Sequence, residues 1–195
     1  TESVVIVISP GKEIVVDYVR SRVEYNSIVK KVFFNENYHD WPGSIHSAEL
    51  YFGAFNVVLL PDSVLETKEN EDLSEKFIKE FKSGADLVFA YLGEFDSKVL
   101  MKLGALNVVG SEVKDFCDKP SIKDPRKFNA FWGAFGFTRS CGPKILNLME
   151  RSVCRDEVDL ASLNLKIRAF PLKSYTDLGT WPSIAKFISG DRGVT

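Results

Sequence analysis

The chain is poor in the residues that staple or metallate small proteins, with 3 cysteines and 2 histidines among 195 residues. Cys117, Cys141 and Cys154 are odd in number and show no CxxC spacing, which argues against a disulfide framework and against a structural zinc site. A reducing, cytoplasmic compartment fits that usage. Long apolar runs are also missing: Phe55 to Pro61 is strand-sized and far short of the roughly 20 residues a spanning helix needs. Val4 to Ile8 lacks both the length and the basic flank of a signal peptide, so no membrane partner is expected. Neither sign of charge dominates, since the formal net charge is -2; the global basic footprint of a nucleic-acid binder is absent. What the chain does have is 45% apolar and 12% aromatic residues, enough for one domain spanning 1–195 with a substantial core.

Val4 to Ile8 is an unbroken apolar, β-branched run closed by Ser9-Pro10-Gly11, and reads as a buried strand stopped by a turn. Helical spacing follows from Ile14 to Val23, then a strand from Val29 to Phe34. Gly43-Ser44 precedes Ile45, Ala48 and Phe52, which places Ser44 as an N-cap of a helix ending near Gly53. Val57 to Leu60 forms a third strand, Glu66 to Lys82 a helix presenting Leu73, Phe77, Ile78 and Phe81 on one face, and Asp86 to Leu92 a fourth strand. This alternation predicts an α/β three-layer sandwich with a mainly parallel, Rossmann-like mixed sheet.

The second half changes character. Gly104 to Val109, Val113 to Cys117 and Asn129 to Phe137 are strand-like with short connections, suggesting an antiparallel or mixed extension. Cys141 to Arg151 and Glu157 to Leu163 have helical spacing, and Lys166 to Phe170 is another strand. Trp181 to Ile188 closes as a helix capped by Thr180, with Pro182 in its first turn. Phe131, Trp132, Phe135 and Phe137 read as core on one strand face rather than a base-stacking platform.

Two aspartates carry the most chemistry: Asp62 in Leu-Leu-Pro-Asp and Asp177 in Tyr-Thr-Asp-Leu-Gly-Thr, each after an apolar stretch. Carboxylates at strand ends, distant in sequence, can converge on one hard divalent cation, with phosphate and water filling its other positions. The competing reading is that each is a turn residue or helix cap. Lys119 lies in a locally basic, proline-broken segment with Lys123, Arg126 and Lys127; phosphate binding and plain solvation are both open to it. Cys117 lacks a recognisable base and reads as a small apolar side chain, not a nucleophile.

Five segments recur in a telling order: Gly43-Ser44-Ile45-His46-Ser47-Ala48, Leu60-Pro61-Asp62, Gly104-Ala105-Leu106, Asp118-Lys119-Pro120 followed by Trp132-Gly133-Ala134, and Asp177-Leu178-Gly179-Thr180. Together they resemble the sugar-phosphate nucleotidyltransferases (nucleoside-diphosphate-sugar pyrophosphorylases), over nearly the whole chain from Val4 to about Ile188. The resemblance implies the nucleotide-diphospho-sugar transferase type of fold and transfer of a nucleotidyl group from a nucleoside triphosphate to a sugar-1-phosphate, with Mg²⁺ as cofactor. It implies Asp62 and Asp177 as metal ligands, with Asp62 also touching nucleotide, and Gly43 and Ser44 as backbone contacts to the base. Lys119 would neutralise a phosphate, and Gly104, Asp118 and Gly133 would complete the sugar-phosphate site. Such chemistry rests on cations and positioning. Because a phosphate nucleophile is already ionised, His39 and His46 are expected at the surface or lining the site, not in catalysis. Family members often assemble as homo-oligomers through their second half; this sequence fixes no subunit number.

Departures from the pattern set the alternatives. The family opens with a strand running into a glycine-rich, basic loop around the triphosphate, whereas this chain opens at what should be the second strand; Ser9-Pro10-Gly11-Lys12 is too short to replace the loop. A preceding strand and loop are expected, because the remaining sheet would otherwise leave backbone groups unpaired. Pro61 stands where glycine is usual, and Asp118 where glutamate is usual. The alternatives are a catalytically silent sugar-nucleotide-binding or regulatory domain, a transferase acting on a non-sugar phosphate such as phosphocholine, and a glycosyltransferase, whose Asp-x-Asp spacing is not visible around Asp62.

Overall fold

The computed structural model describes residues 3–26, 28–34, 41–68, 71–121, 127–153 and 160–190. His39, Lys123, Arg126, Cys154 and the start of the helix expected from Glu157 lie outside them. In the first half, β1 (Val4–Ile8), α1 (Ile14–Ser21), α2 (Val23–Asn26) and β2 (Val29–Phe34) follow the predicted order, and β1 pairs with β2 in parallel. Among the described residues these two strands form a sheet of their own. Val4 to Val7 are therefore half-buried, not buried as the apolar run suggested.

The main sheet is built from β3 (Phe55–Leu59), β4 (Ser63–Thr67), β5 (Leu87–Gly93), β6 (Gly104–Val109), β7 (Glu112–Asp118), β8 (Ala130–Thr138) and β9 (Ile167–Asp177). Its path runs β3-β8-β5-β9-β7-β6, with β4 pairing β9 and β6 pairing β8. The expectation of a mainly parallel sheet is corrected here. Within this sheet only β5/β9 is parallel; β3/β8, β5/β8, β6/β7, β6/β8, β7/β9 and β4/β9 are antiparallel. A physical reason is clear at β6 and β7: only Gly110 and Ser111 separate them, and so short a connection permits only an antiparallel pair.

Strand β5 is the spine, since its alternating side chains feed both faces. Leu87 and Phe89 enter one core with Phe135, Phe137, Ile145, Leu148 and Met149, covered by α3 (Trp41–Ser47) and α6 (Gly142–Val153). Val88 and Ala90 enter a second core with Phe77 and Phe81 of α4 (Leu73–Lys82). Helix α4 ends at Lys82 as the sequence predicts and buries the predicted Phe77 and Phe81. Asp72 caps it by accepting from Ser74 N at 2.6 Å, and Gly84, at φ +88°, provides the left-handed exit after Ser83. Phe77, Phe89, Phe135 and Phe137 are fully buried, each removing enough apolar surface to stabilise the fold by about 1.5–3 kcal/mol.

Four local expectations shift. The helix assigned from Glu66 starts at Leu73, because Ser63–Thr67 instead pairs with β9, and Ile78 stays partly exposed. Ser44 lies inside α3 and does not cap it; a separate 3-10 turn, Glu49–Tyr51, follows before Gly53. The strand assigned to Lys166–Phe170 runs on through Pro171 to Asp177. Pro171 has no N–H to donate, and it sits where β9 leaves β5 and takes β4 as its partner.

In β8, Trp132, Phe135 and Phe137 join one core and Phe131 another, so these rings do not share one face. A bulge explains the split: Ala90 faces Ala134 while Tyr91 faces Trp132, leaving Gly133 as the extra residue. The last helices are α5 (Ser97–Leu100), capped by Asp96, and α7 (Trp181–Ile188), capped by Thr180, which accepts from Ser183 N at 3.3 Å. No helix among the described residues is long and apolar enough to cross a membrane.

Close packing of β8 against β3 gives a direct test. A Cβ on Gly136 would lie 2.7 Å from the Asn56 carbonyl oxygen and 3.0 Å from Phe77 and Phe81. Gly136→Ala should cost about 1–3 kcal/mol, as overpacking does, seen as a lower denaturant midpoint at unchanged slope.

Candidate functional site

The long strand β9 carries Asp177 to its tip, and β4 pairs with it so that Ser63 faces Asp177. Asp62 immediately precedes β4. Its carbonyl accepts from Leu178 N at 2.6 Å, which ties the two aspartate segments together by main chain alone. Gly179 completes the convergence. A Cβ built there would lie 2.9 Å from Asp177 Oδ1 and 3.3 Å from Asp62 Oδ2, so both carboxylates border the same small volume. The Gly179 amide donates to Asp177 Oδ1 at 2.7 Å, fixing that carboxylate's orientation. Both aspartates are exposed, open to a ligand from solvent.

Tyr175, two residues before Asp177 and on the same face of β9, lies beneath the pair. Its hydroxyl accepts from Ser63 Oγ at 3.3 Å, and its ring meets Phe131 edge-on at 5.1 Å. Burial raises the Tyr175 phenol above its ordinary value of 10.0, opposed by the Ser63 bond and reinforced by the negative charges of Asp177 and Asp62. That both carboxylates act on one phenol is a second mark of their convergence.

Two exposed carboxylates are hard oxygen donors of the kind Mg²⁺ prefers. No group of three or more His, Cys, Asp and Glu side chains suited to a metal occurs among the described residues. The two carboxylates fit an ion that Asp62 and Asp177 would hold, with water and phosphate completing its shell.

The other predicted residues fall into neighbouring groups. Gly104 on β6 faces Asp118 on β7, and Asp118 is buried. Lys119 follows with its side chain exposed and Nζ 4.0 Å from Asp118 Oδ2. Its backbone is at φ +50°, the left-handed region, and its amide donates to the Leu103 carbonyl at 2.9 Å. A lysine there carries strain of about 1–2 kcal/mol that glycine would not. The space beside Gly104 is filled by the Trp132 indole, 1.8 Å from a built Cβ; that beside Gly133 is filled by Leu65, Leu172 and Tyr175 at 2.8–3.2 Å. Both glycines are thus demanded by protein packing, a reason the sequence did not reveal.

Gly43 is buried within α3 and Ser44 half-buried beside it. The same helix brings Trp41 to 5.4 Å from Trp132, linking it to the Gly104 group. His46 Nδ1 lies 3.5 Å from Glu49 at the exposed end of α3. Lys127 is exposed. Cys117 is buried, as expected of a packing residue, and so is Cys141, whose thiol lies 3.5 Å from Asp86 Oδ1. Sequence reasoning missed Tyr175 and the packing role of Gly179. The signal available was the i, i+2 spacing of Tyr175 and Asp177 at the end of a strand.

No protein-family profile matches the sequence, and no curated protein does. Solved structures do match in shape. UDP-glucose pyrophosphorylase in its apo form superimposes with a TM-score of 0.72 at 16% identity, over 97% of this chain and 82% of that one. A putative glucose-1-phosphate thymidylyltransferase from Bacillus anthracis, in complex with sucrose, gives 0.70 at 17% identity, over 100% and 78%. HddC from Yersinia pseudotuberculosis gives 0.66 at 15%, over 98% and 80%. At these identities the likeness establishes a shared mixed α/β fold.

Two outcomes follow from the geometry. Lys119→Gly should leave stability at or above that of the wild-type protein, by up to about 1 kcal/mol, whereas Lys119→Ala, which keeps the strain, should not; paired thermal melts decide. Mg²⁺ between Asp62 and Asp177 should lower the Tyr175 phenol in part, because it offsets their charges while the larger cause of the rise, burial, remains. Phenolate absorbance titrated with and without Mg²⁺, against Tyr175→Phe as the blank, checks the shift independently of any activity.

Proposed function

We propose that the chain is a nucleotidyltransferase that joins a nucleoside triphosphate to a sugar-1-phosphate and releases pyrophosphate, with Mg²⁺ as cofactor. The observation that carries this reading is the convergence of Asp62 and Asp177 on the volume beside Gly179, at the edge of a fold shared with sugar-phosphate nucleotidyltransferases. Among those neighbours one structure is a complex with UDP-glucose and another a complex with GMP-PN, the classes of ligand the proposed reaction uses. The finer architecture proposed is the nucleotide-diphospho-sugar transferase sandwich.

In the reaction an oxygen of the sugar phosphate attacks the α-phosphorus. The bond from that phosphorus to the oxygen bridging to the β-phosphate breaks, and pyrophosphate departs with the bonding pair. No proton need be removed from the nucleophile, so the site requires no histidine base. When bound, Mg²⁺ would supply positive charge to the phosphate oxygens as negative charge shifts toward the leaving group. Asp62 and Asp177 hold and orient that charge, with the Gly179 amide steering Asp177. Lys119 adds a flexible cation toward the sugar phosphate. Gly43 and Ser44 on α3 are assigned to the nucleotide side and Asp118 to the sugar side, which Gly104 and Gly133 serve through packing, since Trp132, Leu65, Leu172 and Tyr175 fill the space beside them.

Asp62→Asn and Asp177→Asn test the reading. Each should lower Mg²⁺-dependent formation of nucleotide-sugar by about a hundredfold or more, consistent with losing an electrostatic contact at the reacting group, while circular dichroism and melting temperature stay near wild type. Retained turnover in either variant would sink the assignment. The screen is wild-type protein with each nucleoside triphosphate and a panel of hexose 1-phosphates, read by pyrophosphate release.

A further inference from the structure

Tyr175 has a hydroxyl whose own proton is not spent on its neighbour. Ser63 Oγ donates to the phenol oxygen at 3.3 Å, a bond that uses a lone pair of the phenol and leaves the O–H to another acceptor. Packing alone does not call for that hydroxyl, since a phenylalanine ring would meet Phe131 equally well.

The ladder fixes where the O–H stands. Ser63 lies opposite Asp177 and Leu65 opposite Tyr175. Residues two apart on a strand, and residues opposite one another across a ladder, share a face. Tyr175, Asp177 and Ser63 therefore project from one face of the β4–β9 ribbon. By reaching Ser63, the phenol oxygen stands at the rung of Asp177, two residues beyond its own backbone. Asp62 joins from the residue before Ser63, and the charges of both aspartates act on this phenol. The ring is held from behind, edge-on to Phe131 at 5.1 Å and with Cδ2 3.2 Å from a Cβ built on Gly133. Tyr175 and Ser63 are only half-buried, beside exposed Asp62 and Asp177, so no strand need part to admit a ligand there.

The chemistry of the site selects the acceptor. Water on a divalent cation turns its protons outward and accepts poorly, whereas an ionised phosphate oxygen only accepts, and a hydrogen bond to it is charge-assisted. We propose that the Tyr175 O–H donates to a non-bridging phosphate oxygen of the ligand that an ion at Asp62 and Asp177 would hold, with Ser63 orienting the phenol. This inference rests on the function proposed above and adds a phosphate-positioning residue to it. Lys119 offers the phosphates charge on a flexible stem. Tyr175 offers direction, from a ring fixed at both ends and with no charge of its own to balance.

The test separates phosphate from metal. Affinity for Mn²⁺ alone is measured by electron paramagnetic resonance, and affinity for inorganic pyrophosphate in the presence of Mg²⁺, the released product of the proposed reaction, by calorimetry. Tyr175→Phe should weaken pyrophosphate binding about tenfold, one hydrogen bond's worth, with Mn²⁺ affinity unchanged. Ser63→Ala, which frees the phenol but keeps it, should weaken pyrophosphate binding about threefold and add nothing further in the Tyr175→Phe background, because the two residues act as one unit. A purely structural Tyr175 would lower both affinities together or neither. Either result overturns this inference and, where wild-type protein still forms nucleotide-sugar, leaves the proposed function standing. Absence of pyrophosphate binding to wild type also overturns it, and with absence of turnover overturns the two together. Should Tyr175→Phe fail to fold, Ser63→Ala decides, and unchanged pyrophosphate affinity in that variant overturns the inference.

Discussion

Everything at the candidate site hangs on one antiparallel ladder, β4 against the outer half of β9. It places Ser63 opposite Asp177 and closes with the hydrogen bond from Leu178 N to the Asp62 carbonyl. Side chains contribute little to that placement. Two carboxylates brought side by side repel one another, and exposed acidic side chains have rotamer freedom with which to part. A main-chain ladder resists this because its hydrogen bonds are indifferent to the charge they position, and Gly179 keeps the space between the carboxylates free of carbon. The cost of holding two like charges together is thus met by backbone pairing, leaving the charges available to a ligand.

The glycines of the sheet serve the same end by different means. Gly133 is the extra residue of a bulge that turns Trp132 toward the same core as Phe135, and it admits Leu65 and Tyr175 on the other face. Gly104 lets an indole lie across a strand. Neither works by adopting a left-handed backbone; each makes room for a neighbour. Lys119 is the reverse case, a side-chain-bearing residue held at φ +50°, where the chain carries strain in order to keep an ammonium next to buried Asp118.

Much of the architecture was legible because it is local. The apolar runs at Val4–Ile8 and Leu87–Leu92, the period-four phenylalanines of α4 and the Thr180 cap all depend on residues within a turn or two of one another. What escaped depends on distant partners. Ser63–Thr67 looks like a polar lead into a helix until β9 arrives to pair with it, and Pro171 seems to end a strand when it only marks a change of partner. The parallel sheet implied by alternating strands and helices gave way to a mixed one as β8 took β3, β5 and β6 as antiparallel neighbours. At the site, the two aspartates stood out as strand-end carboxylates. Tyr175 was signalled only by its i, i+2 spacing from Asp177, and the crowding at Gly104 emerged from the packing alone, because no residue type announces a cross-strand neighbour.

The β4–β9 ladder also has a temporal side. Ser63 and Tyr175, hydrogen-bonded across it, are 112 residues apart in the chain, and closing so long a loop comes late in folding because its entropy must be met before the contact can stabilise anything. During synthesis the segment holding Asp62 leaves the ribosome well before its partner strand exists. Leu87 and Phe89 find their core partners in β8 and α6, so the acidic pair, like the core, waits for the second half of the chain.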